Sequence, residues 1–207
     1  MFEKLPLLIG TTFLLLVVPG PDFVLVTRNA LGRGRRAAQD TVVGICAGLG
    51  SLALVAATGF AAVIAAAPVM MLVLRVLGGV YLVLLGVVLV RSGWDGPDSR
   101  RDAGASRLSA NSPVCQGFLN NVSNPKALIF YLAIMPGFLV PNVPVFAQTI
   151  VVGAVVVLCA LVWWTCYVAV VGRMSTFMSR RRVRAGIDDV AGIALAVLGG
   201  ALLLGYV

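Results

Sequence analysis

Two stretches decide the fold: Pro19-Gly20-Pro21-Asp22 and, in the second half of the chain, Asn120-Asn121-Val122-Ser123-Asn124-Pro125-Lys126. Each interrupts an apolar run, and each is followed by a further mostly apolar stretch. A proline inside a helix forfeits a backbone hydrogen bond at a cost of roughly 3 kcal/mol or more. The carbonyls freed there cannot face lipid, so they must face protein or a water-filled cavity. Asp22 and Lys126 stand at these breaks, and an ionised group within a span costs roughly 2.5 to 3.5 kcal/mol on insertion scales. A chain that carries both costs, in corresponding places, predicts two interrupted membrane helices with a site where they meet.

The composition agrees with a lipid solvent. Of 207 residues, 60% are hydrophobic and 12% charged, with a mean hydropathy of +1.01. Soluble domains hold roughly 45 to 50% apolar and about 25% charged residues. There is no histidine, which excludes Ser-His and Cys-His nucleophilic pairs, His-ligated zinc or haem, and an imidazole proton relay. No metal and no cofactor are expected. The net charge of +8 fits either a nucleic-acid partner or the basic cytoplasmic loops of a membrane protein.

A bilayer core needs about 20 apolar residues per helix, and six such stretches are present. They run over residues 5–27, 41–67, 69–90, 114–139, 145–171 and 187–206. The one hydrophilic insert, Arg91 to Ser112, reads as a flexible loop. The first stretch follows Lys4 as a signal peptide would, but it lacks a small-residue cleavage site and is broken at Pro19, so a retained helix is expected. The fold expected is thus an all-α integral membrane protein forming one transmembrane permease domain over 1–207. It divides into a repeat over about 1–91, a cytoplasmic loop over about 92–113 and a second repeat over about 114–207.

The charges set the sidedness. Arg28, Arg33, Arg35 and Arg36 follow span one; Arg91, Arg100, Arg101 and Arg107 follow span three; Arg173, Arg180, Arg181, Arg182 and Arg184 follow span five. The connections after spans two and four, around Pro68 and Pro141 to Pro144, hold no charge. Basic loops lie in the cytoplasm, so both termini are placed outside it. This accounts for thirteen of the sixteen cations, leaving Lys4, Arg75 and Lys126, and removes the main support for nucleic-acid binding. Anionic lipid contacts at Arg180 to Arg184 are compatible with this reading.

Each half follows one plan: a broken first span, and a third span bearing a glycine pair, Gly78-Gly79 or Gly199-Gly200. Three spans per half make the second repeat inverted, the arrangement of secondary transporters whose site lies between broken helices. At such a site Asp22 suits the ammonium of a zwitterion and Lys126 its carboxylate, with the half-helix amino terminus at Lys126 adding attraction for an anion. Asn120, Asn121 and Asn124 join them as candidates for substrate binding or proton coupling, and Pro19, Gly20, Pro21 and Pro125 as the residues that make the breaks. A structural reading stands beside this one: the prolines kink the helices for packing, and Asp22 pairs with Lys126 or caps the helix that begins at Phe23.

Other residues read more simply. Asp40, Asp188 and Asp189 are expected to cap the cytoplasmic ends of spans two and six. Arg75 is expected to snorkel to the outer interface. Gly44 and Gly48 give the small-xxx-small spacing of closely packed spans. Cys46, Cys115, Cys159 and Cys166 form no Cys-x-x-Cys pair and read as buried apolar thiols. Trp163, Trp164 and Tyr167 lie within span five, where they either pack or line a substrate path.

Several of these blocks resemble the LysE/RhtB amino-acid exporters. They are Pro19-Gly20-Pro21-Asp22-Phe23 continuing to Arg28-Asn29-Ala30-Leu31 and Gly34-Arg35-Arg36-Ala37; Gly78-Gly79-Val80-Tyr81-Leu82 with Gly86; and Gly117-Phe118-Leu119-Asn120-Asn121 followed by Asn124-Pro125-Lys126-Ala127. The resemblance implies a bacterial inner-membrane permease that expels amino acids, driven by the proton gradient. Two departures stand out. Relatives commonly carry a histidine in span two, where this chain reads Gly48-Leu49-Gly50-Ser51-Leu52, and a glutamine where it has Gly137. Without that histidine, Asp22 becomes the leading candidate for proton coupling.

The function expected is therefore export of amino acids or close derivatives by proton antiport and alternating access, in a protein that is not an enzyme. Its partners would be the amino-acid substrate, protons and the bilayer, and its glycine-rich spans permit a homodimer. The rival classes are a membrane-embedded thiol-redox carrier or another non-transporting membrane protein.

Overall fold

The computed structural model describes residues 4–18, 20–66, 68–92, 112–178 and 181–204. Pro19, most of the hydrophilic insert, and the side chains of Arg75, Asp188 and Arg180 to Arg184 lie outside the described residues, and the expectations for them with it. Every regular element described is helical: α1 (Leu5–Val17), α2 (Pro21–Gly32), α3 (Arg35–Ala66), α4 (Pro68–Ser92), α5 (Pro113–Val122), α6 (Pro125–Ile129), α7 (Val145–Met178) and α8 (Arg181–Leu203). A π-helical turn (Phe130–Ile134) and a 3-10 turn (Met135–Phe138) continue α6.

The prolines act as starts as well as stops. Pro21, Pro113 and Pro125 each open a helix, where a missing N–H is no loss and the fixed φ suits the first turn. The first apolar stretch is accordingly two helices, α1 and α2, bent by 60°. The fourth is broken at Ser123 and Asn124 and never regains a long α-helix, since the π turn and the Pro136 3-10 turn follow at once. Among the described residues α3 and α7 are long and apolar enough to cross a membrane, and the bent pair makes a third candidate.

The distribution of polarity is the reverse of a soluble protein's. Val55 on α3 and Val197 on α8 are two-thirds exposed, at 67% and 68%, whereas Asp22, Asn29, Thr41, Gln116, Asn121 and Gln148 are buried. Apolar side chains outward and polar ones inward suit a chain whose outer solvent is lipid.

α3 is the central strut, packing on α2, α5 and α7, while α4 pairs along its length with α8. Both contacts are made by glycine. A Cβ on Gly44 would lie 2.0 Å from the Val114 carbonyl oxygen and one on Gly117 2.2 Å from that of Thr41, so α3 and α5 meet backbone to backbone. The α4–α8 seam is reciprocal: Gly86 faces the Gly192 carbonyl and Gly192 that of Gly86, and Gly79 and Gly199 repeat the exchange further along. The close packing expected of Gly44 and Gly48 is thus realised, against the half-helix that carries the second break.

The capping expectation for the acids needs correction. α3 begins at Arg35 and α8 at Arg181, and neither has an acidic residue in its first turn. These helices run on beyond the apolar stretches into the arginine segments, which leaves Asp40 and Asp189 inside the helix and away from its orphan N–H groups. The cysteines are free; Cys46, Cys115 and Cys159 are half-buried, but Cys166 is exposed on α7 and not buried as expected.

Candidate functional site

The two breaks lie side by side, and Asp22 is where they join. Its carboxylate is 6% exposed and turns away from its own helix, making no cap. Asn120 donates to Oδ1 at 2.7 Å, while Asn121 and Asn124 donate to Oδ2 at 3.2 and 3.1 Å. Three amide N–H groups thus converge on one carboxylate, whose two oxygens offer acceptor sites to all of them. All three asparagines named from the sequence are brought to one acid in the other half of the chain.

The Asn-Pro-Lys order has a local reason. Asn124 is extended at the N-cap of α6, and its Oδ1 accepts the Lys126 N–H at 3.0 Å; Pro125 fills the first helical position. One side chain therefore caps α6 with its oxygen and holds Asp22 with its nitrogen. α6 has only five residues, and the Lys126 N–H at its amino terminus is taken by Asn124.

Lys126 does not pair with Asp22. Its ammonium reaches across to the other break and donates to the carbonyls of Leu15 at 2.9 Å and Val18 at 3.1 Å. The helical donor for the Leu15 carbonyl would be residue 19, a proline with no N–H. The ammonium thus satisfies a carbonyl that the break has orphaned. Both alternatives in which Asp22 merely pairs with Lys126 or caps α2 give way to this cross-linking of the two breaks.

Asp22 and Lys126 line a common cavity of ≈ 40 Å³, with Thr12 and Asn121 beside them and Leu49, Phe130 and Trp164 among its apolar walls. Trp164 is 2% exposed and packs edge-on against Phe23 of α2, 5.5 Å between centroids; Tyr167 lies 4.5 Å from the same ring and its hydroxyl meets that of Thr27 at 2.6 Å. Trp163 packs against Phe13 instead. Of the three aromatic residues, Trp164 is the one that reaches the cavity.

Two polar clusters were not foreseen. Where the carboxyl end of α2 meets the amino-terminal parts of α3 and α5, Asn29 donates to Thr41 Oγ1 at 2.7 Å and to Gln116 Oε1 at 3.2 Å, all three buried. At the opposite end, Gln148 accepts the Val140 N–H at 2.8 Å and donates to the carbonyls of Val140 at 3.0 Å and Val143 at 2.8 Å, closing the turn in which Asn142 has φ of 64°. Lys4 also donates to the Gly137 carbonyl at 2.6 Å, so a main-chain contact stands where the glutamine of relatives is missing. A polar residue in the first turn of an apolar span was the available signal for Gln116 and Gln148.

The sequence profile of the LysE type translocators matches residues 13–205, nearly the whole chain. The chain belongs to that family. Among curated LysE-type relatives, a threonine efflux protein of Salmonella typhi is 30% identical over 194 residues, covering 91% of this chain and 92% of its own. An uncharacterized membrane protein of Bacillus subtilis is 28% identical over 195 residues, with 90% and 91% covered. A homoserine/homoserine lactone efflux protein of Salmonella typhi is 24% identical over 200 residues, with 93% and 92% covered. No solved structure matches the chain. Family membership, the apolar helices and the inverted polarity together make this translocator a multi-pass membrane protein.

Proposed function

We propose that this protein exports amino acids or close derivatives from the cytoplasm, binding them as zwitterions between Asp22 and Lys126. The observation that carries the reading is the shared cavity at the two breaks, with its unused valences. An ionised carboxylate offers about four acceptor sites, of which Asp22 has filled three; an ammonium has three donors, of which Lys126 has used two. One acceptor and one donor remain, the complement of an amino acid's ammonium and carboxylate. The efflux names of the threonine and homoserine relatives support the class of substrate and the outward direction.

The architecture that fits this role has six spans in two inverted repeats, about 1–91 and 114–207, forming one permease domain with both termini outside the bacterial inner membrane. The reciprocal α4–α8 seam supports the inverted relation, because these are the third spans of the two halves. A cavity of ≈ 40 Å³ holds a few waters, each needing about 10–15 Å³ by that measure. Amino-acid binding therefore requires the half-helices to part, which is the first movement of alternating access. A proton returning inward through Asp22 excludes substrate by removing the charge that holds its ammonium.

The test is efflux from proteoliposomes loaded with a panel of amino acids under an imposed pH gradient. Gradient-dependent efflux of at least one neutral amino acid is expected, with loss in Asp22→Asn. Undiminished gradient-driven efflux in Asp22→Asn refutes the coupling role, and absence of any amino-acid efflux refutes the export reading.

A further inference from the structure

The break in the first helix is built to hold a positive charge, whatever the substrate. Three features converge beyond Val17. The carboxyl end of α1 carries the negative end of its helix dipole. The carbonyls of Leu15 and Val17 would find their helical donors at residues 19 and 21, both prolines without an N–H. The Asp22 carboxylate lines the same cavity, the one acidic side chain among its lining residues. Into this place comes the Lys126 ammonium, held by Leu15 and Val18. Gly20 lies against it, a Cβ there coming to 3.4 Å from Nζ.

Unwound carbonyls and half-helix carboxyl ends are what coordinate sodium in transporters with broken helices. We propose that the break between α1 and α2 is a monovalent-cation site that the chain fills from within, the Lys126 ammonium standing in for a free coupling cation. Two consequences follow. The wild-type protein has no use for sodium at this place, and removing the ammonium uncovers a site for a small monovalent cation. Lys126 thereby determines which ion the carrier can couple to, a role separate from contact with substrate.

The experiment compares thermal unfolding of the full-length protein in detergent, wild type against Lys126→Ala, in ammonium, sodium and choline chlorides at matched ionic strength. Lys126→Ala should unfold at a lower temperature than wild type, and its midpoint should rise saturably by a few degrees with ammonium or sodium, since a ligand bound only by the folded state stabilises it. Choline, too bulky for the carbonyls, should do nothing beyond its ionic strength, and wild type should not tell the three salts apart. Lys126→Met, which keeps the aliphatic stem, is measured in parallel and should show the same selectivity with a smaller rise. The proposal is overturned if both variants respond to the three salts alike, or if sodium stabilises wild type as much as the variants. Failure of both variants to fold, unrelieved by ammonium during purification, overturns it too. The readout is unfolding and not efflux, so this inference and the export reading can fail separately.

Discussion

The side-chain amide of Asn124 joins the two halves of the chain, its nitrogen 3.1 Å from Asp22 Oδ2 while its oxygen caps the helix that begins at Pro125. Asn124→Ala removes a helix cap worth about 1 kcal/mol and a bond to a charged group worth about 1.5–3 kcal/mol. Asn120→Ala removes the second kind of contact alone. Both the unfolding temperature and the efflux rate should therefore fall further in Asn124→Ala than in Asn120→Ala. Equal effects would mean that the cap and the bond are not coupled through one side chain.

The α4–α8 seam should tolerate no side chain. Gly86→Val places atoms where a Cβ alone already meets the Gly192 carbonyl at 2.4 Å and the Ala196 nitrogen at 2.8 Å, so destabilisation of about 1–3 kcal/mol or more is expected. Gly50→Ala, with nothing within 4 Å, is the control and should be neutral or slightly stabilising. Thermal unfolding of the two purified variants decides the matter.

Gln148 makes three main-chain bonds across the turn before α7. Gln148→Leu keeps the bulk and removes all three bonds to partly exposed backbone groups, at about 0.5–1.5 kcal/mol for each. Gln148→Glu keeps the acceptor for Val140 and loses both donors, so it should be no better than intermediate. Protease resistance of the turn, read on intact vesicles, follows the same order.

The sidedness assigned to the loops makes a labelling prediction. In a variant lacking Cys46, Cys115, Cys159 and Cys166, a cysteine at exposed Asn142 should react with a membrane-impermeant maleimide added to whole cells, and one at exposed Arg36 should react only after permeabilisation. The opposite pattern inverts the topology.

Much of this was legible in the sequence, for reasons that differ by residue. The breaks could be read because Pro19, Pro21 and Pro125 act through covalent chemistry, which needs no neighbour. That three asparagines converge on Asp22 could be suspected only from their crowding near the second break, because the bonds span 98, 99 and 102 residues. The main-chain partners of Lys126 were out of reach for a related reason. Charge pairing is one natural expectation for an acid and a base, yet the ammonium goes to the carbonyls of Leu15, orphaned by Pro19, and Val18. Asp40 and Asp189 were misplaced because the apolar edge of a span marks the membrane boundary, and α3 and α8 both begin before it. The Asn29–Thr41–Gln116 cluster was missed altogether, since each member is unremarkable until three helices bring them together.

Where α4 and α8 meet at four glycines, the backbones approach directly, with only the flanks of Val83, Val90, Ala196 and Leu203 packed beside them. Such a seam behaves as an axle: it turns about the line of contact or stays still, but it cannot stretch. Any large displacement falls instead to the short segments at the breaks, α1, α2 and α6, which are tied to their neighbours by a handful of polar bonds. The stiffest and the most yielding parts of the protein are thus set apart along the chain, and the charges sit with the yielding part.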